Sequence, residues 1–200
     1  MSDVERIEYR PVSVRETLIQ MKDISELMID LAYSAALFNN KALAEEVIQL
    51  EKRMDDLVYV LSMNLMLAAS DKNDAETLAG GSKIGNLTNN ISDAAADIAG
   101  LVLNDIRVHP IVREVFKRAE EHLARMLIAE NSWITGKTIY GLDLAAEVGV
   151  DIIAIRRGEH WFINPDKELL MPEDVILARG TASGLEKLKR IATGEAESFD

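Results

Sequence analysis

The fold class this sequence predicts is an α plus α/β two-domain chain: an N-terminal antiparallel helical bundle followed by a small β-α-β-β-β-α unit. Three observations predict it. Apolar residues recur in alternating steps of three and four through the first half. Runs of β-branched and aromatic residues replace that period after Glu130. A length of 200 residues leaves room for two separate cores, since domains of ~100 residues are common.

The first helix reads through Val14, Leu18, Met21, Ile24, Met28, Leu31, Ala35 and Phe38, opened by Ser13 and Glu16 as a capping box. "FNNK" at 38–41 offers a turn. A second stripe runs through Ala44, Val47, Leu50, Met54, Leu57, Leu61, Leu65 and Ala68. "DKND" at 71–74 separates it from a third, through Leu78, Ile84, Leu87, Ile91, Ala95, Ile98 and Val102, with Asn73 and Glu76 as its caps. Gly80, Gly81 and Gly85 weaken the first turns of that helix. A fourth helix is expected over 110–129, with Pro110 at its first position and the pairs Glu114/Arg118 and Glu121/Arg125 on its wet side.

The domain boundary is read near Glu130–Asn131: a helical domain over 1–130, the α/β domain over 131–192, and an acidic tail, 193–200, expected to fray. The second domain reads as a strand near 137–139, then a short helix capped by Asp143. Two strands follow, "VDIIAIRR" (150–157) and "EHWFI" (159–163), joined by Gly158-Glu159 as a tight hairpin. "DVILARG" (174–180) is the next strand, and Ser183 with Glu186 opens a closing helix.

Composition excludes several roles. With 34 acidic against 22 basic residues the net charge is −12, which repels nucleic-acid phosphates and anionic lipid. The absence of cysteine removes disulfides, thiolate nucleophiles and sulfur-ligated metals. The N-terminal segment "MSDVERIEYRPVSVRE" lacks the apolar core of a secretory leader, and the longest apolar stretch, 57–69, falls short of the ~20 residues of a spanning helix. A cytoplasmic protein with no direct membrane insertion is expected.

"ITGKT" at 134–138 looks like the end of a phosphate-binding loop. Such a loop needs a glycine five positions before Gly136, where Asn131 stands, and a helix after the Thr, where Gly141 interrupts. The expected role is a turn glycine leading into a strand. "GGSKIG" has the wrong spacing for a dinucleotide fingerprint and lies in a helix.

Residues 131–188 do carry a wider pattern: "GKT" before a "LDL" helix start, "GVDIIAIRRG", a Pro-Asp after the hairpin, "EDVILARGT" and a closing "LEKL". In that order these resemble the TrkA C-terminal domain, also called the RCK C-terminal domain. The resemblance implies a small domain that dimerises and regulates potassium or other cation transport, often by binding a small ligand between subunits. The helical half resembles PhoU. It carries acidic pairs four residues apart, "ELMID" (Glu26/Asp30), "EKRMD" (Glu51/Asp55) and "DAAAD" (Asp93/Asp97), one on each long helix, and "NNISDAAADIAGLV" is the nearest stretch. Its length fits one such bundle, where PhoU has two in tandem.

The spacing of four puts both carboxylates of a pair on one helix face, and converging pairs could supply oxygen ligands to a divalent or iron ion. Glu26 and Asp30 lie roughly opposite their helix's apolar stripe, and Asp93 and Asp97 also fall outside theirs, so a solvated acidic face accounts for them equally well. Arg156 and Arg157, at a strand end before a turn, could grip a phosphate or carboxylate with paired hydrogen bonds; pairing with local acids such as Glu159 is the alternative. In the next strand faces alternate, so that His160, and Asn164 beyond it, can reach a ligand while Trp161 packs inward. His109 and His122 form no metal-ligand spacing.

No serine sits in an activating context and no paired zinc-type histidines occur. The expectation is a non-enzymatic, homodimeric regulator of a membrane cation transporter or channel, taking a small anionic ligand of nucleotide type on its C-terminal domain. The alternative is a PhoU-like, metal-binding adaptor in phosphate-transport signalling. A metal-dependent hydrolase built on the acidic pairs comes third.

Overall fold

The computed structural model describes residues 13–106 and 122–199. The chain divides into two compact units, Met1–Arg107 and Val108–Asp200.

The first unit holds three long helices, α1 (Val14–Phe38), α2 (Lys41–Ala68) and α3 (Lys72–Leu103), each packed on the other two. Most of the predicted stripes of α1 and α2 lies in the core: Met21, Met28, Leu31, Leu50 and Met54 are fully buried, as is Leu43 outside the stripe, while Phe38 at the end of α1 is exposed. Ser13 caps α1 by accepting from the Glu16 amide at 3.1 Å. In the "FNNK" turn Asn39 adopts the left-handed conformation that ends α1, and the Asn40 side chain accepts from the Ala42 and Leu43 amides to start α2. The cap of α3 differs from the expectation: Asp71, two residues before Asn73, accepts from the Asn73 and Asp74 amides.

The stripe expected for α3 is only partly its core. The buried residues are Gly85, Ser92, Ala95, Ala96, Ala99 and Val102, while Ile84, Leu87 and Ile91 face outward. A Cβ added at Gly85 would collide with Leu61, so this helix comes close to α2 by having no side chain there. Periodicity registered the large residues and passed over the small ones that set the packing distance.

The second unit is a four-stranded antiparallel sheet in the order β1-β4-β2-β3. Its strands are β1 (His122–Leu127), β2 (Val150–Arg157), β3 (His160–Ile163) and β4 (Val175–Gly180). The short helices α4 (Ile139–Leu142) and α5 (Leu144–Val148) precede β2, and α6 (Ala182–Ala192) closes the unit. Met126, Val150, Ile152, Ile155, Ile176 and Ala178 meet Leu185, Leu188 and Ile191 of α6 in one core. The hairpin forms at Gly158-Glu159 as expected, with Gly158 at φ +58 between the pair Arg157 and His160.

The predicted β-α-β-β-β-α order holds, but its first strand is elsewhere. His122–Leu127, expected as the last turns of a fourth helix, pairs with β4 along its whole length. The sheet therefore starts upstream of the boundary read at Glu130–Asn131, and the earlier part of that helix, with His109, lies outside the described residues. Residues 137–139 contribute only one bridge, Thr138 to Leu169, before Thr138 caps α4 by accepting from the Gly141 amide. Asp143, expected as a cap, makes no side-chain cap bond. Thr181, and not Ser183, caps α6.

The described part of the tail, through Phe199, packs on the second unit. Ala196 and Phe199 pack on the core, the Phe199 ring stands edge-on to Trp133 at 5.5 Å, and its carbonyl accepts from Lys187 Nζ at 3.1 Å.

Candidate functional site

"ITGKT" is a structural turn. Gly136 sits at φ +76, a region open to glycine without steric cost, and donates to the Leu170 carbonyl at 2.8 Å. Lys137 lies over the Trp133 ring with Nζ 2.8 Å from its centroid, and desolvation holds its pKa below the ordinary lysine value. The lysine is committed to an aromatic face and the threonine to a helix cap.

Three of the four residues expected to hold an anion divide between the two faces of the hairpin, and the fourth, Asn164, lies just beyond β3. Arg157 and His160 oppose each other on one face, while Arg156 and Trp161 oppose each other on the other. Arg157 is an internal clamp. Its Nε and Nη2 donate to the two oxygens of Asp174 at 2.7 and 2.8 Å, and Nη2 also donates to the Leu169 carbonyl at 2.7 Å. Asp174 is fully buried, with a further bond from the Met171 amide, and the bidentate bond to it raises the guanidinium's pKa. This pair ties the β3–β4 connection to the end of β2.

Arg156 places its guanidinium 5.9 Å from the centre of the Trp161 ring and donates to the Gly158 carbonyl at 3.4 Å. Trp161 was expected to pack inward; Phe162 does so instead, because the hairpin pairs it with the buried Ile155. His160 is exposed, and Asn164 takes a left-handed turn conformation at φ +50 with its amide bonded to the Ile153 carbonyl.

Two arginines escaped the sequence reading. Met126 and Ala124 of β1 point into the core, so Arg125 between them faces the other side; by the same alternation Arg179 faces away from the core beside Ala178. Arg125, Arg156 and Arg179 thus lie on one face of the sheet, drawn from three strands and partly buried. The sequence signal is period-two alternation, with Ala124 and Met126 inward and Arg125 outward, which the helix expected over 110–129 conceals.

The acidic pairs of the helical unit do not converge as three. Glu51 and Asp55 of α2 lie near Asp93 and Asp97 of α3. Partial burial first, then repulsion from those three carboxylates, raises the pKa of Glu51 against the opposing pull of Lys52. Glu26 is paired instead with Lys22 at 2.8 Å, and it and Asp30 are exposed on α1. Asn89 donates to both oxygens of Asp93 at 3.3 Å. Among the described residues no group of three or more His, Cys, Asp or Glu side chains is placed to hold a metal ion. No helix among the described residues is long and apolar enough to cross a membrane.

Comparison with known proteins agrees with both halves. The PhoU domain matches residues 18–102 and the TrkA-C domain matches residues 123–193. Ktr system potassium uptake protein C of Bacillus subtilis (strain 168) is 29% identical over 110 residues, which cover 54% of this chain and 48% of that protein. The chain thus matches about half the length of that relative. Among solved structures, the RCK C domain of the potassium transport protein KtrA in complex with cyclic diadenosine monophosphate is 25% identical. It covers 40% of this chain and 93% of its own, with a TM-score of 0.33. S. agalactiae BusR in complex with its busAB-promotor DNA is 13% identical and covers 88% of this chain and 96% of its own, with a TM-score of 0.35. The chain carries a PhoU domain followed by a TrkA-C domain.

Proposed function

We propose that the protein is a non-enzymatic regulatory subunit of potassium or cation transport, acting from the cytoplasm on a membrane transporter or channel. Its C-terminal domain reads a small anionic ligand. The observation that carries this reading is the TrkA-C match over 123–193 together with the likeness to a potassium uptake protein. An anionic ligand is supported by charge: in a chain of net −12, Arg125, Arg156 and Arg179 of three strands share one sheet face, where Asp151 stands opposite Arg179. Arg156 is the contact at the hairpin, with Asn164 just beyond the end of β3; Arg157 holds the β3–β4 connection in place from the opposite face, which His160 shares.

A thermal-shift screen of cyclic dinucleotides, adenine nucleotides and inorganic phosphate tests this, comparing the wild type with Arg156→Ala. A ligand at 100 times its dissociation constant stabilises by ~2.7 kcal/mol. A shift present in the wild type and lost in Arg156→Ala is expected. No shift with any of the three classes would overturn anion sensing.

The second reading, a metal-carrying adaptor in phosphate-transport signalling, draws on the PhoU match and on the acidic face formed by Glu51, Asp55, Asp93 and Asp97. Metal analysis of purified protein decides it. Stoichiometric metal, lost in Asp93→Ala/Asp97→Ala, would favour that reading.

A further inference from the structure

Large and small residues are inverted on α3. The side turned into the bundle is made of Gly85, Ser92, Ala95, Ala96, Ala99 and Val102, while Ile84, Leu87, Ile91, Ala94, Ile98 and Leu101 line another side. Ile84, Leu87, Ile91 and Leu101 are 59, 52, 46 and 40% exposed. Their steps of three and four continue without a break for five intervals. That is the heptad period by which one helix packs along another. Ile29 and Tyr33 of α1 flank its middle, completing a groove of about 480 Å³ around Ile91 and Ala94. Exposed apolar surface of this kind, on the order of several hundred Å², is what an interface leaves bare in an isolated monomer.

We infer that the same seam of a second copy of the chain covers this one, α3 against α3, antiparallel about a twofold axis near Ile91 and Ala94. The seam is complementary to its own reverse. Run backward, it sets Ile84 against the partner's Leu101, Leu87 against the partner's Ile98, and Ile91 against the partner's Ala94. Each first heptad position then meets a fourth, and the small Ala94 lets the two helices close at the centre.

Charge selects the direction. The seam's flanks carry Lys83, Asn86 and Asn90 in one half and Asp93 and Asp97 in the other. Antiparallel pairing brings Lys83 to the partner's Asp97 twice. A parallel pair would set like charges together at both ends, an added cost for a chain of net −12. A contact in which one patch meets its own copy is the isologous arrangement of a twofold dimer. This inference is independent of the anion-sensing reading.

The chain has no cysteine, so introduced ones report cleanly. In the full chain under mild oxidation, Asn90→Cys, beside the axis, is expected to run mostly as a disulfide-linked dimer. Glu45→Cys, exposed on α2, is expected to stay monomeric. An Ile84→Cys chain mixed with a Leu101→Cys chain is expected to give a crosslink that neither forms alone. Lys83→Glu in the Asn90→Cys background should lower the yield several-fold, and adding Asp97→Lys should restore it. Circular dichroism confirms that each variant keeps its helices, as surface changes on an intact α3 should. Several results would overturn the inference: an Asn90→Cys chain that stays uncrosslinked, whether because the copies meet only through the C-terminal domain or because another protein's helix fills the seam; Ile84→Cys chains that crosslink to each other; or a yield indifferent to the charge exchange.

Discussion

Two residues show how far a side chain's role departs from its type. Arg157 reads from sequence as a ligand-gripping cation, yet its donors are taken by the fully buried Asp174. What hid this was a partner seventeen residues away, brought close only by strand pairing. Arg157→Met leaves Asp174 buried without its counter-charge. A loss of about 3 kcal/mol is expected, at the lower end for buried pairs because the guanidinium is a third exposed; urea unfolding measures it. Glu51 is the opposite case, a surface-type residue whose neighbours work against it. Its folded pKa is raised above the ordinary 4.5, by burial first and by Asp55, Asp93 and Asp97 after, so ionised Glu51 costs stability at neutral pH. In chelator-treated protein, Glu51→Gln should therefore stabilise at pH 7, by less than about 1 kcal/mol after solvent screening. The gain should shrink as the pH falls through the raised value and vanish below about 4.5, where both side chains are neutral. Melting curves at pH 7 and pH 4 check both the sign and the window.

At the scale of elements, helices α1 and α2 were legible because large apolar residues mark their buried faces, and the β2–β3 hairpin because Gly158 announces its turn. β1 was not: "HLARML" has the composition of a helix, and only pairing with β4 decides it as a strand. α3 was found as an element but its inner face was misread, because the residues that matter there are the smallest. Its glycines separate the two effects. Gly80 has open space around its Cβ position, so Gly80→Ala should add stability of up to ~1 kcal/mol through helix propensity alone. Gly85→Ala gains the same propensity but must push Leu61, itself buried, out of place. Overpacking of that kind costs ~1–3 kcal/mol, so the net change should be destabilising. Thermal denaturation of the two variants side by side should move the midpoint in opposite directions; a rise in both would mean that α2 and α3 adjust freely at their closest approach.

For the whole molecule, composition spoke most clearly about electrostatics and least about assembly. The net charge of −12 predicts a chain that repels itself, and exposed pairs such as Lys22 with Glu26, Lys41 with Asp105 and Lys72 with Glu76 offset it by little each. The Arg157–Asp174 pair is buried enough to escape most screening. Added salt therefore weakens repulsion more than attraction, since the Debye length falls from ~10 Å at 0.1 M to a few Å at 1 M. The urea midpoint should rise between 0.05 and 0.5 M sodium chloride, by the equivalent of roughly 1 kcal/mol. A protein held together by its surface ion pairs would move the other way. Salt should also favour association along α3, where two like-charged chains must meet and only the Lys83–Asp97 contacts are screened. Sedimentation equilibrium at the two salt concentrations measures this, and a dimer that dissociates on adding salt would mean that charge attraction, and not the apolar seam, holds the copies together.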